Sequence, residues 1–303
     1  MIDPSDPPTG ALRPSWFYRT DLWRLGHWSA QHFPRRFAVG LSGLLATVYW
    51  RCNRRRRETV IRNLLPVLGG HRSDAEAAAR ELFHQFALKL IDLWRYESGL
   101  PVDHLISDLR GWDHFLAAQK RSGGILLLTV HLGNWELGAP LLAAHGVKLT
   151  VISLVEPHAK LTELRQQSRL RWGIETLIIG ENPFAFVDVI RRLDAGGAVA
   201  LLVDRPPAAS GTTGELFGRP FQASISAAEL ARASGCTLLP VFIVRTPSGY
   251  HAEVLPEVAY DRAALGSRDA RQKLTGQIMR VFESTIRQYP SQWYHFVNIW
   301  PEE

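Results

Sequence analysis

The chain has 303 residues, 46% of them hydrophobic and 21% charged, with a formal net charge of +6 and a pI near 9.6. That length and apolar content suit one large α/β body with an appendage, and exclude a disordered or low-complexity chain beyond the first dozen residues. The positive charge favours anionic partners, whether phospholipid headgroups, nucleic acid or an acidic carrier protein. Cys52 and Cys236 make neither a disulfide framework nor a metal-ligand spacing, which points to a reducing compartment.

Met1 to Pro14 carries Asp3 and Asp6 among prolines. It reads as unfolded and lacks the basic start, apolar run and small-residue cleavage site of a secretory leader, so export is not expected. Trp16, Phe17, Tyr18, Trp23, Trp28 and Phe33 then fall among Arg19, Arg24, Arg35 and Arg36. Amphipathic aromatics beside basic residues suit the headgroup boundary of a bilayer. The apolar run Phe37 to Trp50 would span roughly 21 Å as a helix, short of a hydrocarbon core of about 30 Å. Directly after it come Arg51, Arg54, Arg55, Arg56 and Arg57, each worth about 1 kcal/mol beside an anionic leaflet. Residues 1–70 are therefore expected to form a membrane-associating helical segment, lying on the bilayer or re-entering it, and residues 71–303 the main body. An N-terminal helix packed on the body with a solvated arginine patch fits the same residues. Nucleic acid is not expected, because the aromatics group with aliphatics rather than alternating with basic residues along a strand.

Ser73-Asp74-Ala75-Glu76 has the form of a capping box, and Leu82, Phe83, Phe86, Leu90, Ile91 and Trp94 follow at helical spacing, which predicts a helix over about Asp74 to Arg95. Short β-rich runs come next, at Ile125 to Val130, Leu149 to Leu154, Thr176 to Ile179, Val199 to Val203 and Leu238 to Val244. Helical segments separate most of them, at Pro157 to Arg171, Pro183 to Asp194 and Ser224 to Ser234. This alternation predicts an α/β fold with a mainly parallel sheet covered on both faces. A last helix is expected over about Asp261 to Gln288, ahead of the aromatic tail Trp293-Tyr294-His295-Phe296.

His131 directly follows the strand that ends in Val130, at the edge where open α/β sheets place their ligands. Residues five apart on one helix are roughly 140° apart and do not meet. Gly133 permits a sharp turn and Asn134 can cap a new helix, a path that would return Glu136 to His131. His131 is then a candidate general base and Glu136 the carboxylate that fixes its tautomer. Spacing alone equally allows a strand-end histidine and a helix-start glutamate placed for local reasons. The sequence has no nucleophile-elbow serine, no phosphate-loop lysine and no helical His-Glu-x-x-His pair. His145 and His158 stand alone and suggest no metal site.

The segment Thr129-Val130-His131-Leu132-Gly133-Asn134-Trp135-Glu136 resembles the bacterial lipid A biosynthesis acyltransferase family, the late lauroyl/myristoyl transferases, which includes the phosphatidylinositol mannoside acyltransferases. Further matches are Asn63-Leu64-Leu65-Pro66, Arg169-Leu170-Arg171-Trp172-Gly173, Val203-Asp204-Arg205, Leu216-Phe217-Gly218-Arg219-Pro220 and Ala228-Glu229-Leu230-Ala231. The resemblance implies a glycerol-phosphate-acyltransferase-like fold, with a mixed, mainly parallel sheet flanked by helices and residues 71–303 as the acyltransferase domain. It also implies attachment to the cytoplasmic face of the inner membrane. The chemistry it implies is transfer from an acyl-carrier-protein or coenzyme A thioester to a glycolipid hydroxyl, without metal or cofactor. By motif position His131 and Glu136 are the catalytic pair. Arg169 is placed near the thioester oxygen, Asp204 orients that arginine or a substrate hydroxyl, and Asn134 and Arg205 complete the substrate-binding set. The tail departs from the tryptophan-then-arginine ending of members that act on lipid A precursors, and leaves the acceptor open.

Overall fold

The structure, a computed structural model, describes residues 19–301 apart from 122, 157, 180–183 and 207–209. The expectations for Met1 to Pro14 and for Trp16 to Tyr18 lie outside the described residues. The N-terminal aromatic and basic stretch forms three helices, α1 (Thr20–His32), α2 (Arg35–Cys52) and α3 (Arg54–Leu64). Pro34 ends the first, because the residue before a proline is pushed to extended backbone and Phe33 adopts φ −115° and ψ 142°. Asn53 separates the other two and accepts from the backbone N–H of Arg56 at 3.2 Å. No described helix is long and apolar enough to cross a membrane.

The long helix α4 (Arg72–Glu97) starts earlier than the capping box places it. His71 stands at its N-cap without a side-chain bond, and the Ser73 hydroxyl turns to Asp74 at 3.3 Å inside the first turn. The chain leaves two left-handed glycines, Gly69 and Gly70, just before Arg72, so the helix has begun before Ser73 is reached.

The body continues through β1 (Ile106–Arg110), α5 (Trp112–Gln119), β2 (Ile125–Thr129), α6 (Gly138–Ala144), β3 (Leu149–Leu154), α7 (Ala159–Leu170), β4 (Glu175–Ile179), α8 (Ala185–Asp194) and β5 (Ala198–Leu202). It ends with β6 (Gly211–Leu216), β7 (Arg219–Ser224), α9 (Ser226–Ser234), β8 (Thr237–Thr246), β9 (Gly249–Val254), α10 (Arg268–Val281) and α11 (Glu283–Gln288). Seven strands form one sheet in the order β1-β9-β8-β2-β5-β3-β4. The five from β8 to β4 are parallel, as the alternating pattern predicts, while β9 returns antiparallel to β8 and carries β1 beside it. β6 and β7 make a separate hairpin whose two turn residues, Phe217 and Gly218, both have positive φ. The expected last helix is instead two. Ser267 caps α10 by accepting from Ala270 N–H at 3.1 Å, and the chain breaks at Phe282 before α11.

All five residues of β2 are buried, and their alternation divides the core. Leu126 and Leu128 face one apolar layer with Val199, Leu201, Leu238 and residues of α9 and α10. Ile125 and Leu127 face the other with Leu149, Ala198, Leu239 and residues of α5 to α7. α4 serves both layers: Ala75, Ala79, Leu82 and Phe83 belong to the first, Leu90, Leu93 and Tyr96 to the second. It crosses between them at Phe86 to Lys89, beside the carboxyl ends of β2 and β5.

Candidate active site

The register of β2 and β5 sets the central contact. Thr129 is opposite Leu202, and Val203 N–H continues the ladder to the Thr129 carbonyl at 3.0 Å, so two residues further on His131 meets Asp204. The His131 Nδ1 lies 2.7 Å from Asp204 Oδ1, and the His131 backbone N–H donates to Oδ2 at 2.9 Å. Asp204 Oδ2 also accepts from Trp293 Nε1 at 3.1 Å and pairs with His295 Nε2 at 2.9 Å. Burial opposes the Asp204 charge, but His131 and His295 hold it well below the carboxylate range. An ionised carboxylate only accepts, so His131 Nδ1 carries the proton and Nε2 the lone pair. Burial pushes the imidazole down to about 4, against the upward pull of Asp204, and the ring is a neutral base at neutral pH.

The backbone around His131 is held on two sides. Tyr294 N–H donates to the His131 carbonyl at 2.7 Å, Gly133 N–H to the Gln292 carbonyl at 2.8 Å, and Asn134 N–H to the Ile243 carbonyl at 2.9 Å. Gly133 has φ +60°, and a Cβ there would stand 1.9 Å from the Ile243 carbonyl oxygen, so only glycine fits.

The expected turn occurs, but it does not return Glu136 to His131. The short 3-10 turn Trp135–Leu137 leads into α6 and turns the Glu136 carboxylate to α7. There it accepts from Arg165 at 2.6 Å and from Arg169 at 3.0 Å on both oxygens. Burial alone would raise Glu136, but Arg169, then Arg165 and Lys89, outweigh it and hold it at about 2. Arg165 also binds Glu97 at 3.0 Å and Glu156 at 2.5 Å. Glu97, fully buried at the end of α4, accepts from Trp23 and pairs with His27 at 3.1 Å, which ties α1 into the same network. Thus the carboxylate that orients His131 is Asp204, not Glu136. Arg169 holds Glu136 instead of standing free for a thioester oxygen.

Asp204 is not a substrate contact, since it is buried behind His131 and does not reach the cavity. Asn134 is likewise fully buried, beside Tyr250 and away from the cavity. Arg205 does line the cavity and pairs with no described residue, as a substrate-binding cation would.

The cavity holds about 910 Å³. His131, Glu136, Arg169 and Arg205 edge it, Leu127, Ala200 and Ala252 line it along one face of the sheet, and Leu41, Leu45 and Val48 of α2 line its outer part. A large apolar space with a few convergent polar groups has the form of a small-molecule site. No group of three metal-ligating side chains occurs among the described residues.

Sequence reasoning gave no role to His295, Trp293, Glu97 or Lys89. For Lys89 a signal existed: it interrupts the apolar stripe Leu82, Phe86, Leu93 and Tyr96 of α4 with a charge. For the Asp204 pairing the signal was the two predicted strand ends, Val130 and Val203, each followed by a titratable residue.

An α/β protein with a histidine–carboxylate pair beside an apolar cavity is the class these observations define. The chain belongs to the family described as bacterial lipid A biosynthesis acyltransferase, whose model matches residues 16–301. Over 193 residues it is 27% identical to a phosphatidylinositol mannoside acyltransferase of Mycobacterium tuberculosis, a match covering 63% of this chain and 58% of that protein. Over 198 residues it is 26% identical to the lipid A biosynthesis palmitoleoyltransferase of Escherichia coli, covering 62% and 60%. The chain thus spans less than two thirds of the curated relatives it matches. A crystal structure of the 1-acyl-sn-glycerophosphate acyltransferase of Thermotoga maritima aligns over 85% of this chain and 100% of that one, at 12% identity and a TM-score of 0.40, too loose a likeness to bear on the chemistry.

Proposed function

We propose that this chain is a membrane-surface O-acyltransferase, moving a fatty acyl chain from an acyl thioester to a hydroxyl of a glycolipid such as a lipid A precursor or a phosphoglycolipid. The observation that carries the reading is the His131–Asp204 pair, with Nε2 lacking any described hydrogen-bond partner beside a cavity whose walls are apolar. The neutral Nε2 takes the proton of the acceptor hydroxyl as its oxygen attacks the thioester carbonyl. Asp204 stays ionised and stabilises the imidazolium, and the departing thiolate recovers the proton. Glu136 acts at one remove, fixing Arg165 and Arg169 at the cavity edge. Family membership and the names of both relatives support acyl transfer as the chemistry. No metal or cofactor is required.

The outer lining of the cavity continues onto an apolar helix face. Phe37, Leu41, Leu44, Leu45 and Val48 recur along α2 at helical spacing and are exposed, Leu44 by 62%. Arg51, Arg54 and Arg55 follow, also exposed. This face would rest in the headgroup layer of an anionic membrane, on its cytoplasmic side, so that an acyl chain enters the cavity from the bilayer side. The donor is acyl carrier protein in preference to coenzyme A, because a basic surface raises the encounter rate of a small acidic carrier.

Incubating the full chain with labelled acyl thioester and membrane extract tests this. A new acylated lipid, absent with His131→Ala, is expected. Free fatty acid alone would mean a thioesterase, and unchanged thioester a lipid-binding protein.

A further inference from the structure

Lys89 sits on α4 where that helix crosses between the two core layers. It is 4% exposed, yet no carboxylate, carbonyl or hydroxyl of a described residue accepts from it. Its ammonium rests 2.9 Å from the centre of the Trp135 ring, with Tyr294 at 5.5 Å and Phe86 at 6.0 Å. Aromatic faces attract a cation through their quadrupoles but leave its N–H donors without acceptors. A cation in that state is costly unless water or a ligand in the adjoining cavity satisfies it. Burial accordingly pushes the amine well below its ordinary value, with Glu136 acting against that at longer range. Lys89 borders the cavity, so a bound ligand can reach the unmet donors.

The same Trp135 ring meets the His131 ring edge-on, at 4.9 Å between centres. The Lys89 ammonium is therefore no more than about 8 Å from the imidazole centre, with Trp135 as the common wall. A reacting ester centre placed between them, with the attacking oxygen about 3 Å from Nε2 and the carbonyl oxygen about 3 Å from Nζ, fits that span. The other cations nearby are less suited. Arg165 and Arg169 are engaged by Glu97, Glu136 and Glu156, and Arg205 makes no described contact with Trp135, the ring that Lys89 shares with His131.

We propose that Lys89 is a catalytic residue that donates to the carbonyl oxygen of the acyl thioester and stabilises the oxyanion formed when the acceptor attacks; this rests on the acyl-transfer reading above. The acceptor O–H gives its proton to His131 Nε2, and its oxygen bonds to the carbonyl carbon. The C=O π pair moves onto oxygen, where the Lys89 ammonium meets it. When that pair re-forms the carbonyl, the C–S bond breaks, and the sulfur leaves as a thiolate that takes the proton from the imidazolium. The products are an ester and a free thiol.

Lys89→Met keeps the length and burial of the side chain while removing the donor. Steady-state acyl transfer by the full chain in anionic vesicles is expected to show kcat lowered by about 100- to 1,000-fold, the acceptor KM within about threefold, and a melting temperature no lower than wild type. Lys89→Ala is expected to regain activity on addition of ethylammonium. A kcat for Lys89→Met within about threefold of wild type, a change confined to the acceptor KM, or an unrescued Lys89→Ala that also melts early would each overturn the assignment. His131→Ala is run beside them. If wild type gives no His131-dependent product, the acyl-transfer reading falls and this inference with it. If it does and Lys89→Met matches it, only the inference falls.

Discussion

Asp204 and Glu136 flank the same strand end, Asp204 fully buried and Glu136 nearly so at the cavity edge, and both are held ionised, yet their partners differ in kind. Asp204 is surrounded by ring and backbone donors, two of them titratable imidazoles. Glu136 is clamped by two guanidiniums that never lose their charge. A carboxylate among imidazoles can fix a tautomer and stabilise a transient positive charge. One saturated by arginines can only hold geometry. The two groups have similar burial and opposite uses, and the charge chemistry of the neighbours decides which is which.

Substitution can break that comparison at either end. His131→Ala is expected to lower turnover by about 100- to 10,000-fold without loss of fold, the range for removal of a general base. Asp204→Asn should approach it, because the wrong tautomer of His131 becomes available while the side-chain shape is kept. Turnover assays with matched melting curves check both, and normal turnover in Asp204→Asn would show that the pair is not the catalytic unit. Glu136→Gln should act mainly on stability: leaving Arg165 and Arg169 short of a partner in a buried network costs about 3–5 kcal/mol, read by denaturant unfolding. A Glu136→Gln chain with wild-type stability and a turnover as low as His131→Ala would reverse the two roles.

The pH dependence sharpens the same contrast. The folded His131 is held down to about 4, below its unfolded value, so between those two values the unfolded chain binds a proton that the folded chain refuses. That contribution to stability is complete above the unfolded value and is lost as pH falls toward 4. His295, also lowered by burial, adds in the same direction. Melting temperature is expected to fall on acidification through this window in wild type and to fall less in His131→Ala. The acid limb of kcat/KM should lie near 4. An acid limb at the ordinary imidazole value would mean that His131 is not buried as described.

Much of the framework was legible in the sequence, for identifiable reasons. Ile125 to Val130 and Leu238 to Val244 are near-continuous apolar runs, the signature of strands buried on both faces. β1 was not legible, because Ser107, Asp108 and Arg110 leave it no apolar run, and β9 carries only the short alternation Tyr250, Ala252, Val254 around His251 and Glu253, which a search for continuous apolar runs passes over. At the site, His131 was legible from its place after a strand. Its partner was passed over, because nearness in sequence favoured Glu136 over the signal of the two strand ends, whereas the sheet register brings in Asp204 from 73 residues away. His295 and Trp293 arrive from the tail by an isolated bridge between Leu132 and Trp293, which leaves no periodic trace.

The smallest expected effect concerns the outer face of α2. Deleting the N-terminal helices is a poor test of membrane attachment, because Arg35 makes a bidentate pair with the fully buried Asp92 at 2.7 and 2.9 Å, and Trp23 and His27 serve Glu97. Removing these partners would unfold part of the body and release it for the wrong reason. Leu44 and Leu45, 62% and 58% exposed, take part in none of those pairs, Leu44 standing outside the cavity lining and Leu45 at its outer part. Replacing both by serine removes exposed apolar area that a bilayer would bury, and vesicle binding reads that loss apart from any effect on turnover. At about 25 cal/mol per Å², that should weaken binding to anionic vesicles by roughly tenfold or more, with the melting temperature unchanged. High salt should weaken the wild type only in part, because screening reaches the arginines and not the apolar contact. In the serine pair, salt should release the chain almost completely. Sedimentation with vesicles of graded anionic content separates these arms, and undiminished binding by the serine pair at high salt would remove this face from the membrane contact.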